Sequence, residues 1–577
     1  MADDVIPLSR FAPAALAGRR AARRLDAILA DADPPARVAA LPVQDLYFLV
    51  QEVGLADARQ LVELATPEQF QGLIDLSSWS HDRLDAEAVV PWLEAVAEAS
   101  PEKLAADWRE LDPELAALLF QRWVRVYDIV EGEVPDWEEP PFIPTPDRFF
   151  VLKVIAERAD TVRLVEQLVD HLYRADAELA RHTLRAASSE PTAELEEMSH
   201  RWRSGRMQDL GYADFHEALE VYRPIDVASV HVGEGSEDTP REGTTLPVVL
   251  ADPTLRQPFL ARVLARVTQA AEAQRLESSL VLVLNRVLAA NRVEPSDTAG
   301  IAANAALGAA TLSLGLETVA RGDEARGEEA LRTIALARLH RVGYSVTRKL
   351  GELADFLAPR GGGDPRGVAE RGAEQSGAPL IIEEPLLSVL AALQRPRPEF
   401  PKVLDEPGGG APRGFAERGA ELSGAPFTGS RPFAEVADVR KVTHALGLLA
   451  AQITLVREGL GVDPATLGTH VTLGDVARTA IVHVVLGEPP SARPLPLAAV
   501  QRFAAALEAG RIPKAAAARV REAFSALLAA QKIAVPQEYD DALSGFRVDL
   551  ERELGRLDPS VLPDKRFIGG LLLAVLE

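Results

Sequence analysis

Leu41–Leu76 reads LPVQDLYFLVQEVGLADARQLVELATPEQFQGLIDL, and the spacing of its apolar residues decides the fold. Leu46, Leu49, Val50 and Val53 recur at helical intervals, as do Leu61, Val62 and Leu64, and then Phe70, Leu73 and Ile74. Thr66-Pro67-Glu68-Gln69 is a helix start. Thr sits at the N-cap, Pro at the first helical position where its missing N–H is harmless, and Gln where a reciprocal cap needs it. Leu41-Pro42, Ser100-Pro101-Glu102 and Asp112-Pro113-Glu114 give the same signal. From about residue 36 to 130 the chain thus reads as short helices, each too small to bury its own apolar face. Stacking on neighbours buries it, which is the logic of an α-solenoid.

The whole chain fits this reading. Its 577 residues are 47% hydrophobic and 26% charged, a globular balance, with only 5% aromatics. An Ala- and Leu-rich apolar fraction favours helices packed on small side chains over sheets. We expect an all-α, multi-subdomain helical protein with an α-solenoid-like N-terminal region over 1–135. Helical subdomains are expected over 145–230, 248–357 and 433–577, and Gly-rich duplicated loops with short helices over 358–432. The first boundary is the Pro- and acid-rich run from Glu131 to Pro146, which cannot continue a helix. Val232–Thr245 is a second polar linker.

The stretch Leu41–Leu76 resembles the N-terminal cytoplasmic superhelix of MgtE-type magnesium transporters, in which short helices beginning Leu-Pro-x-x-(Asp/Glu)-Leu stack into a right-handed coil. The resemblance implies a superhelical fold. In that family the superhelix is regulatory, beside cystathionine-β-synthase-type domains and a membrane pore; no magnesium chemistry carries over to these residues. EEMSHRWRSGRMQDLGYADFHEALEVYRP (Glu196–Pro224), RLHRVGYS (Arg338–Ser345) and RTAIVHVVLG (Arg478–Gly487) resemble a family of large, uncharacterised bacterial cytoplasmic proteins. That resemblance runs over most of the chain from about residue 145 and implies a fold without an activity.

Composition excludes several functions. The net charge of −24 repels phosphate backbones, so no nucleic-acid partner is expected. Arg19, Arg20, Arg23 and Arg24 form one basic stretch that could touch an anionic membrane, or simply make a solvated helix face balanced by Asp26, Asp31 and Asp33. No cysteine is present, which removes disulfides, thiolate metal sites and cysteine nucleophiles. MADDVIPLSR has no apolar core, so no secretory signal is expected, and the expected location is cytoplasmic. The longest uncharged run, Thr298–Leu316, is Ala- and Gly-rich and reads as a tightly packed helix, not a membrane span.

One internal repeat stands out. Gly361–Leu380 and Gly408–Phe427 match at 16 of 20 positions, 47 residues apart. The surviving part is Gly-rich, which favours a duplicated surface insertion over a structural repeat.

No motif carries catalysis, a cofactor or a metal. His171 and His182 lie eleven residues apart and would share a face if helical, but solvated or capping roles suit them better. Glu197 and His200 give one Glu-x-x-His where a di-iron site needs two. The GGGDPRG and GGGAPRG loops, with Arg366 and Arg413, lack the Lys-Ser/Thr and the preceding strand of a phosphate cradle. The candidate interaction residues are Trp202, Arg203, Arg206, Tyr212 and Phe215, joined by Met207, because they are the types enriched in binding hot spots. The alternative makes Trp202 and Phe215 core anchors of a helical corner, with Arg206 bonded to helix carbonyls.

The sequence therefore favours a non-enzymatic cytoplasmic scaffold or regulatory protein that binds protein partners through stacked helices. Two alternatives stand beside it: an enzyme or ligand-binding protein with a site between helical subdomains, and a divalent-ion-responsive accessory of a membrane transporter.

Overall fold

The structure is a computed structural model that describes residues 14–80, 82–132, 142–210, 212, 215–233, 257–295, 297–358, 382–405, 429–462 and 471–574. Both copies of the duplicated segment and most of the second linker lie outside the described residues, as does Asp214, which the sequence pairs with Glu217 as a cap for the helix after Gly211. The protein is all-α and multi-subdomain, with three small antiparallel sheets among the described residues. It divides into two compact units, Met1–Arg341 and Val342–Glu577.

The first unit begins with α1 (Ala14–Leu29), α2 (Pro34–Ala39), α3 (Val43–Val53), α4 (Arg59–Leu64), α5 (Pro67–Ser77), α6 (Ala86–Ala99), α7 (Pro101–Glu110) and α8 (Pro113–Trp123). A two-residue hairpin, β1 (Trp79–Ser80) and β2 (Arg83–Leu84), separates α5 from α6. Each helix packs on the next but one: α1 on α3, α3 on α5 and α5 on α7 in one row, α2 on α4 and α4 on α6 in the other. The start signals explain the segmentation. The Thr66 hydroxyl accepts from the Gln69 N–H at 3.2 Å, and the Gln69 side chain accepts from the Thr66 N–H at 2.9 Å, a complete capping box. The Gln69 amide also donates to the carbonyls of Val38 and Leu41, so the same residue ties α5 to the end of α2.

Strands follow where helices were expected. β3 (Val124–Asp128) and β4 (Phe142–Pro144) flank β5 (Phe150–Val154) in a three-stranded sheet ordered β3-β5-β4. Val124-Arg125-Val126 alternates buried and exposed residues, and β5 is rich in branched and aromatic side chains, which suits a pleated, half-buried surface. Pro144 sits on an edge strand, where its missing N–H breaks no ladder. One apolar core runs from Ala21 to Ala305, on both sides of the Pro-rich run. Trp108, Phe120 and Trp123 lie in it, with Trp108 edge-on to Phe120 at 5.5 Å between ring centres.

α9 (Ala159–Ala175), α10 (Ala177–Ser189), α11 (Thr192–Asp209) and α12 (Phe215–Ala218) complete that half. Then come α13 (Pro258–Leu264), α14 (Ala270–Ala290), α15 (Thr298–Ala320), α16 (Glu324–Thr333) and α17 (Leu336–Leu357), within which the boundary between the units falls. α15 carries the long uncharged run. It is long and apolar enough to cross a membrane by length and composition, and here it packs on α14 and α16 with Ala305, Ala309, Leu312 and Leu316 buried. A Cβ at Gly308 would meet a Leu284 methyl at 2.7 Å, so the glycine permits the close approach of α14.

The second unit holds α18 (Leu386–Leu393), the strand pair β6 (Phe400–Pro401) and β7 (Ser430–Arg431), α19 (Val436–Ile453), α20 (Leu473–Val485), α21 (Leu497–Ala505), α22 (Lys514–Ala530) and α23 (Tyr539–Leu554). α20 is buried along almost its whole length, against α22 and α23. Its Arg478 is 1% exposed and donates to Glu383 (2.6 and 3.1 Å), Asp475 (2.9 Å) and the Gly570 carbonyl (2.8 Å). Burial opposes its charge, but Glu383, Asp475 and Asp549 outweigh that and hold the guanidinium above its usual range. Gly487–Pro496 (GEPPSARPLP) follows α20 and carries no helix. There Glu488 meets His483 at 2.8 Å and is held below the usual carboxylate range by that bond.

Thr66→Ala removes half of the capping box and should cost about 1 kcal/mol in urea unfolding of the full chain. An unchanged midpoint would mean that the Gln69 contacts alone start α5.

Candidate functional site

The site is built around α11. Its exposed N-terminal turns are tied down by Glu196, which accepts from the Leu84 N–H at 3.2 Å and from Arg122 at 2.9 Å. At its other end the Tyr212 N–H closes on the Met207 carbonyl at 2.9 Å, and the Gln44 amide of α3 reaches the Leu210 carbonyl at 2.6 Å. Between these ends Arg206 bonds two carboxylates at once. Its guanidinium grips Asp75 of α5 (2.6 and 3.1 Å) and Asp112 at the start of α8 (2.9 and 2.7 Å). Gln71 completes the network, donating to Asp75 at 3.1 Å and accepting from the Asp112 N–H at 3.0 Å.

Asp75 is 1% exposed, and burial raises the cost of ionising it. Arg206 and Arg203 oppose that cost. Burial also works against the Arg206 charge, yet the bonds to both carboxylates win and hold it above its usual range. Asp112-Pro113-Glu114 reads as a helix start, with Asp112 as its cap. It stands at the N-cap of α8 but makes no side-chain cap bond, because its carboxylate is committed to Arg206.

One helical step away the face changes. Arg203, Ser204, Met207 and Gln208 line a cavity of about 390 Å³. Its other walls come from Phe48 of α3, Asp82 between β1 and β2, Tyr212, Phe215, and the end of α14 with the turn into α15 (Asn285, Leu288, Ala289, Arg292, Val293, Glu294, Pro295, Ile301). Arg203 is 8% exposed. Its Nε donates to the Asp75 carbonyl at 2.8 Å, its guanidinium lies 5.5 Å from the Trp79 ring centre, and the Glu294 carboxylate is 3.9 Å away. Burial pulls its pKa down, opposed chiefly by Glu294. His200, tilted against Trp79 at 5.8 Å, is also pushed down, by burial and then by Arg203, which favours the neutral ring. At the rim the Arg292 guanidinium sits 4.3 Å from the Phe215 ring centre. Burial raises the Tyr212 phenol far above its ordinary value, so it stays neutral.

The structure thus brings Arg203, Met207, Tyr212 and Phe215 to one cavity. Arg206 lies behind it, bonded to carboxylates and not to helix carbonyls. Trp202 points elsewhere and is 49% exposed, so it is not a core anchor. Phe48, Asp82, Asn285, Arg292 and Glu294 carried no motif; only the fold assembles them. His171 and His182 do not share a helix: Asp176 caps α10 by accepting from the Leu179 N–H at 3.0 Å and ends α9 one residue earlier. Among the described residues no group of three or more His, Asp or Glu side chains is arranged to hold a metal. In the basic N-terminal stretch, Arg24 pairs with Asp45 at 3.0 Å and Arg23 is exposed.

A model of a family of unknown function, DUF6178, matches residues 9–574. The chain belongs to the DUF6178 family. No curated protein and no solved structure matches it. The family match covers the N-terminal helices together with the rest, so in this DUF6178 protein α1–α8 belong to the same family unit as the cavity that α11 builds against them.

Arg206→Met should destabilise the DUF6178 protein by about 3–5 kcal/mol, because it strands a buried carboxylate. Adding Asp75→Asn should recover part of that loss. Urea unfolding of the two variants measures both; a loss under about 1 kcal/mol would class the pair with ordinary surface bridges.

Proposed function

We propose that the protein is a non-enzymatic scaffold or regulatory protein that binds a partner protein in the groove between α11, the end of α14 and the turn into α15. The cavity carries this reading. Its floor is apolar, through Phe48, Met207, Leu288 and Ile301, and its walls hold Arg203, Tyr212 and Phe215. Aromatic, Met and Arg side chains around a desolvated centre are the composition of interface hot spots. The two-row packing of α1–α7 supports the further reading that these helices form a superhelical stack like the one they resemble in MgtE-type transporters. Such a stack gives α11 a rigid support.

A cavity of about 390 Å³ also falls in the range of small-molecule sites. In that case the protein is a ligand-binding protein and the groove takes a free metabolite.

A photo-reactive amino acid placed at Ala289, in the groove, and separately at Glu166, on the exposed face of α9, distinguishes the two. The partner reading expects a discrete protein cross-link at Ala289 in cells, absent at Glu166 and lost when Leu288→Glu charges the floor. Identical patterns at both positions, or a co-purified small molecule with no protein cross-link, would contradict it.

A further inference from the structure

Arg203 and Arg206 lie one turn apart on α11 and are treated differently by their surroundings. Arg206 has two carboxylates, each at hydrogen-bonding distance. Arg203 is the more buried of the two, yet its one hydrogen bond among the described residues runs from Nε to a main-chain carbonyl. The nearest acid, Glu294, stands at 3.9 Å, beyond hydrogen-bonding range. Asp75, whose carbonyl Arg203 already holds, gives its carboxylate to Arg206. The terminal nitrogens of Arg203 therefore reach the cavity with donors to spare. A guanidinium fork in a part-desolvated wall is complementary to a planar carboxylate.

The rest of the groove narrows the choice. Arg292, held over Phe215, adds a second cation at the rim. Asp82 and Glu294 add two acids, which would repel a phosphate dianion or a run of acidic residues more than a single carboxylate. The apolar floor of Phe48, Met207, Leu288 and Ile301 has room for a hydrophobic group attached to that carboxylate.

We propose that the groove takes a segment of the partner protein carrying one carboxylate beside an apolar side chain, the carboxylate docking on Arg203 and the apolar side chain on the floor. This rests on the reading of the groove as a partner site. Trp79 supports the guanidinium from behind, and the Nε bond to the Asp75 carbonyl fixes its plane. The ligand meets a fork that needs no reordering.

Fluorescence polarisation on the full chain tests this with fluorescein-Gly-Leu-Phe-Glu-Leu-amide and the same peptide with Gln in place of Glu. The Glu peptide should bind about tenfold tighter, the effect of one charge-assisted pair. Arg203→Met should erase that preference. Ala289→Trp, which fills the groove and leaves Arg203 in place, should abolish binding of both peptides and keeps the test independent of how well Arg203→Met folds. Equal affinity for Glu and Gln, a Glu preference that survives Arg203→Met, or no binding of either peptide would overturn the proposal. Free 4-phenylbutyrate, used as a competitor, separates the two readings. If it displaces the Glu peptide as well as unlabelled peptide does, the partner reading fails while the carboxylate site on Arg203 stands. If the cross-link at Ala289 is found but Glu and Gln peptides bind alike, the carboxylate site fails alone.

Discussion

The Arg206 guanidinium, gripping Asp75 and Asp112 together, is the contact on which the first unit's architecture turns. These two acids belong to different helices of the N-terminal series, and Arg206 comes from a helix more than ninety positions further along the chain. A buried carboxylate such as Asp75 is tolerated only when its charge is answered in place. Once α11 supplies that answer, its position over α5 and α8 is fixed to within hydrogen-bonding tolerance. Glu196 at one end and Gln44 at the other then set its angle.

The cavity follows from this constraint. With Arg206 turned inward to the acids, the helical period puts Arg203, Ser204, Met207 and Gln208 on the adjoining face, where the end of α14 and the turn into α15 close over them. Because Asp75 spends its carboxylate on Arg206, only its carbonyl remains for Arg203. One acid thus anchors the helix with its side chain and orients the groove's cation with its backbone. The groove is a by-product of how the buried charge is satisfied.

What was legible in the sequence was local. The Thr66–Gln69 capping box lies within four residues, and the structure shows it complete. The uncharged run at 298–316, which lies within one long helix, was also written in short-range composition. Contacts across long separations were not legible. Asp112-Pro113-Glu114 looks like a cap and does start α8, but nothing nearby says that its carboxylate belongs to Arg206. The strands at 124–128 and 150–154 are five residues each, embedded between helices; the first alternates buried and exposed residues over too short a stretch to stand out, and the second is a short apolar run that periodicity does not separate from a helix. For α11 the residue types were recognised as a group, but their division was not. Which face of the helix meets acids, which meets the groove and which leaves Trp202 in solvent depends on neighbours that only the fold supplies.

The claim that Arg206 positions α11 is tested most directly by amide hydrogen exchange of the full chain carrying Arg206→Met. Exchange should be faster over 199–210, where the helix loses its hold on α5 and α8, with the amides of α20 in the second unit unchanged. Protection of 199–210 equal to that of the unaltered chain would contradict it, and would place the anchoring of α11 in its apolar contacts instead.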